Sequence, residues 1–103
     1  MTRAHPALTI SAEELAEFCR RWSVTELALF GSAARGEMRD DSDYDFMVEF
    51  DESATWDLWD FVRMKREFEE LLGRSVDLVS KGTIRNPYRK RSIERDLTVV
   101  YAA

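Results

Sequence analysis

Two short hydrophobic runs constrain this chain more than anything else in it. The first, Thr25 to Phe30, closes on Gly31-Ser32, and the second is opened by Asp43 and Asp45 and ends at Phe50. In the second run Tyr44, Phe46, Val48 and Phe50 alternate with Asp43, Asp45, Met47 and Glu49. A period of two fits a strand and cannot sit still as a helix. The chain must therefore build a sheet with an aromatic face turned to the core and a carboxylate face turned away from it. On that second face Asp43 and Asp45 point the same way, roughly 6 to 7 Å apart along the strand.

The remaining pattern supplies helices to cover the aromatic face. Ser11 followed by Glu14 is a capping box, and Leu15, Phe18, Cys19 and Trp22 recur at helical spacing, which predicts a helix over 11–22. Residues 25–30 are expected as the first strand, Ser32 to Gly36 as a short helix or turn, Glu37 to Ser42 as a polar loop and 43–50 as the second strand. Between Thr55 and Leu72, the residues Leu58, Phe61, Val62, Lys65, Phe68 and Leu72 mark one side of a long helix that Gly73 ends; the Lys65 stem can lie along the apolar surface. Trp56 and Trp59 near its start are expected to pack, and an exposed tryptophan there would be a partner contact. Val76 to Val79 reads as a third strand, Asn86-Pro87 as an N-cap with proline in the first turn, and Leu97 to Tyr101 as a last strand. The fold expected is α/β of the α+β kind: a mixed sheet with helices packed on one face, in one domain spanning 1–103.

Composition removes several function classes. With 103 residues, 45% of them hydrophobic, the chain can just bury a core of its own. A net charge of −5 disfavours nucleic acid as the main partner, because that affinity comes from a basic surface releasing counterions. Cys19 is the only cysteine and His5 the only histidine, so a disulfide, a thiol zinc site and a histidine-dependent nucleophilic mechanism are all disfavoured. Cys19 falls on a buried stripe and reads as a small core residue. The N-terminus lacks a long apolar stretch and no run could span a bilayer, which points to a cytoplasmic protein without membrane association.

The polar residues left over converge on phosphate chemistry. A glycine turn lets backbone approach phosphate, and the Ser32 hydroxyl with the free N–H groups of a following helix start supplies donors. Asp43 and Asp45 can hold divalent metal, and Asp77, set in Val76-Asp77-Leu78-Val79, supplies a third carboxylate whose expected burial is costly unless it coordinates metal or is paired. Two-metal sites of this kind clamp the attacking and leaving oxygens of an in-line displacement. Gly31 and Gly36 half-match a P-loop, but Glu37 and Met38 stand where lysine and a hydroxyl residue belong. Asp41, Asp43, Asp45 and Glu52 match calcium-loop positions, but Phe46 replaces the required glycine and a strand follows. A merely solvated acidic turn would explain the Asp pair alone, but not its combination with Gly-Ser and Asp77.

Gly31-Ser32-Ala33-Ala34-Arg35-Gly36 followed by Ser42-Asp43-Tyr44-Asp45 resembles the signature of the minimal nucleotidyltransferases of the DNA polymerase beta superfamily. The likeness extends over almost the whole chain. It implies a polymerase-beta-type core, with nucleotide phosphates at Gly31 and Ser32, joined by Arg35 and Ser42, and with Asp43, Asp45 and Asp77 as catalytic and metal ligands. It further implies two Mg2+ ions, with Mn2+ as a substitute, ATP as substrate, and Asp77 able to help deprotonate the incoming hydroxyl. Arg35 is the signature arginine; phosphate binding, partner contact and a surface ion pair with Glu37 or Asp40 all stay open for it.

The small size is similar to the antitoxin members, which pair with HEPN-domain ribonuclease toxins and transfer AMP from ATP to a toxin tyrosine. So short a chain has little left with which to build an acceptor pocket, so a partner protein is expected to present the hydroxyl. Lys81, Arg85, Arg89, Lys90, Arg91 and Arg95 form a basic cluster able to hold the triphosphate tail or an acidic partner, or to be a solvated helix face balanced by Glu94 and Asp96. Two functions follow: an adenylyltransferase, or a binding module that silences its partner by occlusion. Transfer to another protein, a small molecule or an RNA end is the remaining alternative. Three convergent carboxylates repel one another without metal, which favours the enzyme.

Overall fold

In the computed structural model of the chain, residues 1–3, 5–81 and 85–103 are described. The elements run α1 (Ala12–Arg21), β1 (Val24–Phe30), α2 (Gly31–Arg35), β2 (Tyr44–Phe50), α3 (Leu58–Leu72), β3 (Val76–Ser80), α4 (Pro87–Asp96) and β4 (Thr98–Ala102). Their order in the sheet is β3-β2-β1-β4. β1 is antiparallel to both β2 and β4, whereas β2 and β3 are parallel and α3 makes the crossover between them. The expected mixed α+β fold is observed, with one correction: the helices do not all pack on one face, since α1 and α3 cover one side and α4 lies against β1 and α2 on the other.

Local sequence explains most element ends. Ser11 accepts from the Glu14 amide and Glu14 reaches back, closing the capping box of α1. A second box, between Asp57 and Asp60, starts α3 at Leu58, the first residue of the expected apolar stripe. Gly73 ends α3 in the left-handed conformation, and Asn86 caps α4 with Pro87 in its first turn.

The alternation of β2 is realised: Tyr44, Phe46 and Val48 are buried while Glu49 and the preceding Asp43 are exposed. Phe46, Val48, Leu27, Leu29, Val76 and Leu78 join Leu15, Phe18 and Cys19 of α1 and Met64, Phe68 and Leu72 of α3 in one core. Phe18 and Phe68 stack at 4.4 Å between centroids, and Phe46 lies 4.8 Å from Phe68, so the aromatic rings tie α1, α3 and the sheet together. Burial pushes the Cys19 thiol up to about 12, in keeping with a core residue that does no chemistry. Ala28, Phe30 and Ile93 are also buried, outside this core. By strand alternation Ala28 and Phe30 belong to the opposite face, and there α4 meets β1 and α2.

Some expectations need correction. Leu58 is 74% and Trp59 75% exposed, so neither packs; both fall in the first turn of α3, before it reaches the sheet. Trp56 lies ahead of the helix, edge-on to Trp22 at 5.3 Å, with its indole N–H donating to the Trp22 carbonyl. No helix among the described residues is long and apolar enough to cross a membrane.

Candidate active site

β1, β2 and β3 bring the site residues to one end of the sheet. Phe30, the last residue of β1, pairs with Asp45 of β2, and Asp45 pairs with Asp77 of β3. Lateral neighbours in a sheet share a face, so Asp45 and Asp77 stand side by side on the face opposite the aromatic core, about 5 Å apart between strands. Asp43 lies two residues before Asp45, just ahead of the strand.

Asp77 corrects one expectation: it is exposed. Its neighbours Val76 and Leu78 are buried under α3, and alternation sends Asp77 to the other side. The cost of burial therefore falls on Asp45, which is half-buried. Burial raises the Asp45 carboxyl above its ordinary value; the charges of Asp77 and Asp43 push it further the same way, and Arg89 and Arg35 oppose them. Asp45 thus feels the charge of both other acids. None of the three carboxylates makes a hydrogen bond or ion pair with another described residue.

Gly31 is required twice. Its φ of 71° is left-handed, and a Cβ there would overlap Asp45 Oδ2 and lie 3.2 Å from its Cγ. Glycine thus lets the Asp45 carboxylate rest directly on the turn that opens α2. No side chain caps α2, and the hydroxyl-bearing Ser32 stands second in it, half-buried.

Arg35, at the end of α2, donates to Glu37 (3.0 Å) and to Asp96 of α4 (2.8 Å). Of the partners open for it, Glu37 is observed and Asp96 replaces Asp40. The Ser42 hydroxyl accepts from the Arg39 amide at 2.9 Å, closing the loop that leads into Asp43. The basic cluster divides. Lys81 pairs with Glu26 (3.7 Å) and Glu49 (3.5 Å), away from α4, whereas Arg89 lines a cavity of about 170 Å3 with Phe30, Gly31, Arg35, Ser92, Ile93 and Asp96. That cavity is below the roughly 300–1,000 Å3 that encloses a small ligand. Larger hollows of about 560 Å3, beside Trp22 and Trp56, and about 550 Å3, between α2 and His5 to Thr9, contain none of the three aspartates. Among the described residues Asp43 and Asp77 are exposed and Asp45 is half-buried.

A family model described as the nucleotidyltransferase domain matches residues 12–100. The chain belongs to that family. This nucleotidyltransferase is 46% identical over 80 residues to a provisionally named protein adenylyltransferase of Methanocaldococcus jannaschii, covering 78% of this chain and 80% of that one. It is 40% identical over 83 residues to the protein adenylyltransferase MntA of Thermococcus cleftensis, covering 81% and 79%. Its fold is similar to that in a toxin–antitoxin crystal structure with AMP-PNP (TM-score 0.72, 18% identity, 91% of this chain and 75% of that one). It is also similar to a chain in the complex of a tri-AMPylated Shewanella oneidensis HEPN toxin with an MNT antitoxin (TM-score 0.63, 16% identity, 88% and 69%). The resemblance read from Gly31-Ser32 and Asp43-x-Asp45 is borne out at the level of family and fold.

As they stand, no three acidic, histidine or cysteine side chains among the described residues close on one point tightly enough to hold an ion. The donor set nevertheless fits a hard cation. Oxygen ligands alone are offered, their mutual repulsion is what a cation would relieve, and Mg2+ needs only one or two carboxylates beside substrate phosphates.

Proposed function

We propose that this nucleotidyltransferase is a magnesium-dependent protein adenylyltransferase, an antitoxin that transfers AMP from ATP to a tyrosine hydroxyl of a HEPN-type toxin. The observation carrying the chemistry is the carboxylate of Asp45 seated on the Gly31 turn and flanked by Asp77 and Asp43. The partner is supported by the names of the relatives and by the toxin–antitoxin complexes that share the fold.

In this reading residues 1–103 act as one domain in the cytoplasm. Asp43, Asp45 and Asp77 would hold two Mg2+ ions, or Mn2+ in their place, which when bound neutralise phosphate charge and polarise the α-phosphate. Gly31 and Ser32 receive the triphosphate on backbone N–H groups and the Ser32 hydroxyl, with Arg89 facing the same charge. The tyrosine oxygen forms a bond to the α-phosphorus, the bond from that phosphorus to the β-phosphate oxygen breaks, and pyrophosphate leaves. In this reading Asp77, which is exposed, accepts the hydroxyl proton. Catalysis by positioning and charge neutralisation asks little else of the protein. Among the described residues Asp77 is exposed and the cavity beside Gly31 is only about 170 Å3, which supports an acceptor delivered by a second protein.

The test is the intact mass of the co-expressed partner, wild type against Asp43→Asn. Added AMP on the partner with wild type alone is expected. A partner left unmodified yet silenced by both versions would overturn the enzyme in favour of occlusion, and AMP on a small molecule or RNA end would keep the nucleotidyltransferase and remove the antitoxin.

A further inference from the structure

Asp43 is the one acid of the three that no strand holds. It follows a loop, Glu37 to Ser42, whose residues are mostly charged and exposed. Two internal hydrogen bonds close that loop into a turn, Ser42 N–H to the Arg39 carbonyl (3.1 Å) and Arg39 N–H to the Ser42 hydroxyl (2.9 Å). Neither ties the turn to the rest of the molecule.

Arg74 does. The left-handed cap at Gly73 turns the chain out of α3 and sets Arg74 beside the loop. From there Arg74 Nη1 donates to the carbonyls of Arg39 (2.6 Å) and Ser42 (3.0 Å). The guanidinium carbon sits 6.0 Å from the centroid of the Tyr44 ring, and the Tyr44 amide donates to the Ser75 carbonyl at 3.0 Å. The Tyr44 hydroxyl in turn donates to the Ala7 carbonyl. Asp43 thus lies between two anchored peptides, the Ser42 carbonyl before it and the Tyr44 amide after it, and both anchors come from Arg74-Ser75. Both bonds leave a single nitrogen, so a lysine could keep part of this anchor but would lack the planar guanidinium over the ring.

We propose that Arg74 is a positioning residue for the nucleotidyl-transfer site, holding Asp43 in register with Asp45 and Asp77. The proposal rests on the reading of Asp43 as a metal-binding carboxylate. Arg74 touches neither nucleotide nor metal; it fixes the distance across which the carboxylates share charge. Misplacing a reacting group by about 1 Å can cost on the order of 100-fold in rate.

The test compares wild type, Arg74→Ala and Arg74→Lys by amide hydrogen exchange, by Mn2+ titration followed by electron paramagnetic resonance, and by steady-state kinetics on the partner. Expected for Arg74→Ala are faster exchange confined to residues 39–44, a half-saturating Mn2+ concentration raised roughly tenfold, and kcat lowered on the order of 10- to 100-fold with KM for ATP little changed. Arg74→Lys should fall between the two, and carries the comparison if the alanine variant does not fold. Exchange unchanged at 39–44, or accelerated equally in α1 and β1, would overturn the proposal, as would faster loop exchange with unaltered Mn2+ binding. An inactive wild type that still shows these exchange and Mn2+ effects would overturn the adenylyltransferase reading instead, leaving the role of Arg74 standing.

Discussion

Asp45 and Asp77 are lateral partners on parallel strands, so two negative charges share one face of the sheet. Burial first, then Asp77 and Asp43, raise the Asp45 carboxyl above 3.8. The folded chain therefore holds this proton more tightly than the unfolded chain does. Stability falls as pH rises through the window from 3.8 to the raised value, and the cost of ionisation is fully present above it. Asp45→Asn, which cannot ionise, is expected to melt at a higher temperature than wild type at pH 7 and to lose that advantage near pH 3. Thermal unfolding across pH measures this; equal melting temperatures at pH 7 would refute the repulsion. Added Mg2+ should raise the melting temperature of wild type more than that of the variant.

Gly31→Ala should fail for two separable reasons. Alanine resists the left-handed backbone by about 1–2 kcal/mol, and its methyl group displaces the Asp45 carboxylate. Chemical denaturation should report the first as a modest loss of stability. Transfer assays should report the second as a rate loss on the order of 100-fold. Full activity would mean that Asp45 does not need its seat on the turn.

Arg89 should stand apart from the rest of the basic cluster, because it alone of the α4 cations acts on Asp45 and lines the cavity at Gly31. Arg89→Ala is expected to raise KM for ATP on the order of tenfold, the loss of one charge-assisted contact to phosphate. Arg91→Ala should change it little. The two KM values, measured side by side at low and high salt, decide between a phosphate contact and a solvated helix face.

Phe68 joins α3 to both α1 and the sheet, stacking on Phe18 and lying 4.8 Å from Phe46. Phe68→Ala is expected to cost about 3–5 kcal/mol, a large part of the 5–15 kcal/mol that holds a domain folded. Urea titration should show a much lower midpoint. A midpoint near that of wild type would place the core elsewhere.

What the sequence disclosed was whatever neighbouring residues decide among themselves. The alternation from Tyr44 to Phe50, the Ser11–Glu14 box and the left-handed stop at Gly73 are local, and each is found as expected. The exposure of Asp77 is not local. Val76-Asp77-Leu78-Val79 looks buried by composition, and only the position of α3 over one side of β3 shows which side is wet. The Arg35–Asp96 pair and the reach of Arg74 to Arg39 and Ser42 join elements distant in the chain, and no spacing signals them. Arg89 could be named as one of six cations; its particular role needed the placement of α4.

The pleat of β2 has a consequence for the variation this chain can tolerate. Aromatic packing occupies one side and acidic chemistry the other, with a single residue as the offset between them. Insertion or deletion of one residue between Asp43 and Phe46 would exchange the sides, turning a carboxylate into the interior and a phenyl ring onto the working surface in one event. A change of length along β2 is therefore a graver event for this sequence than a change of a single residue on either side.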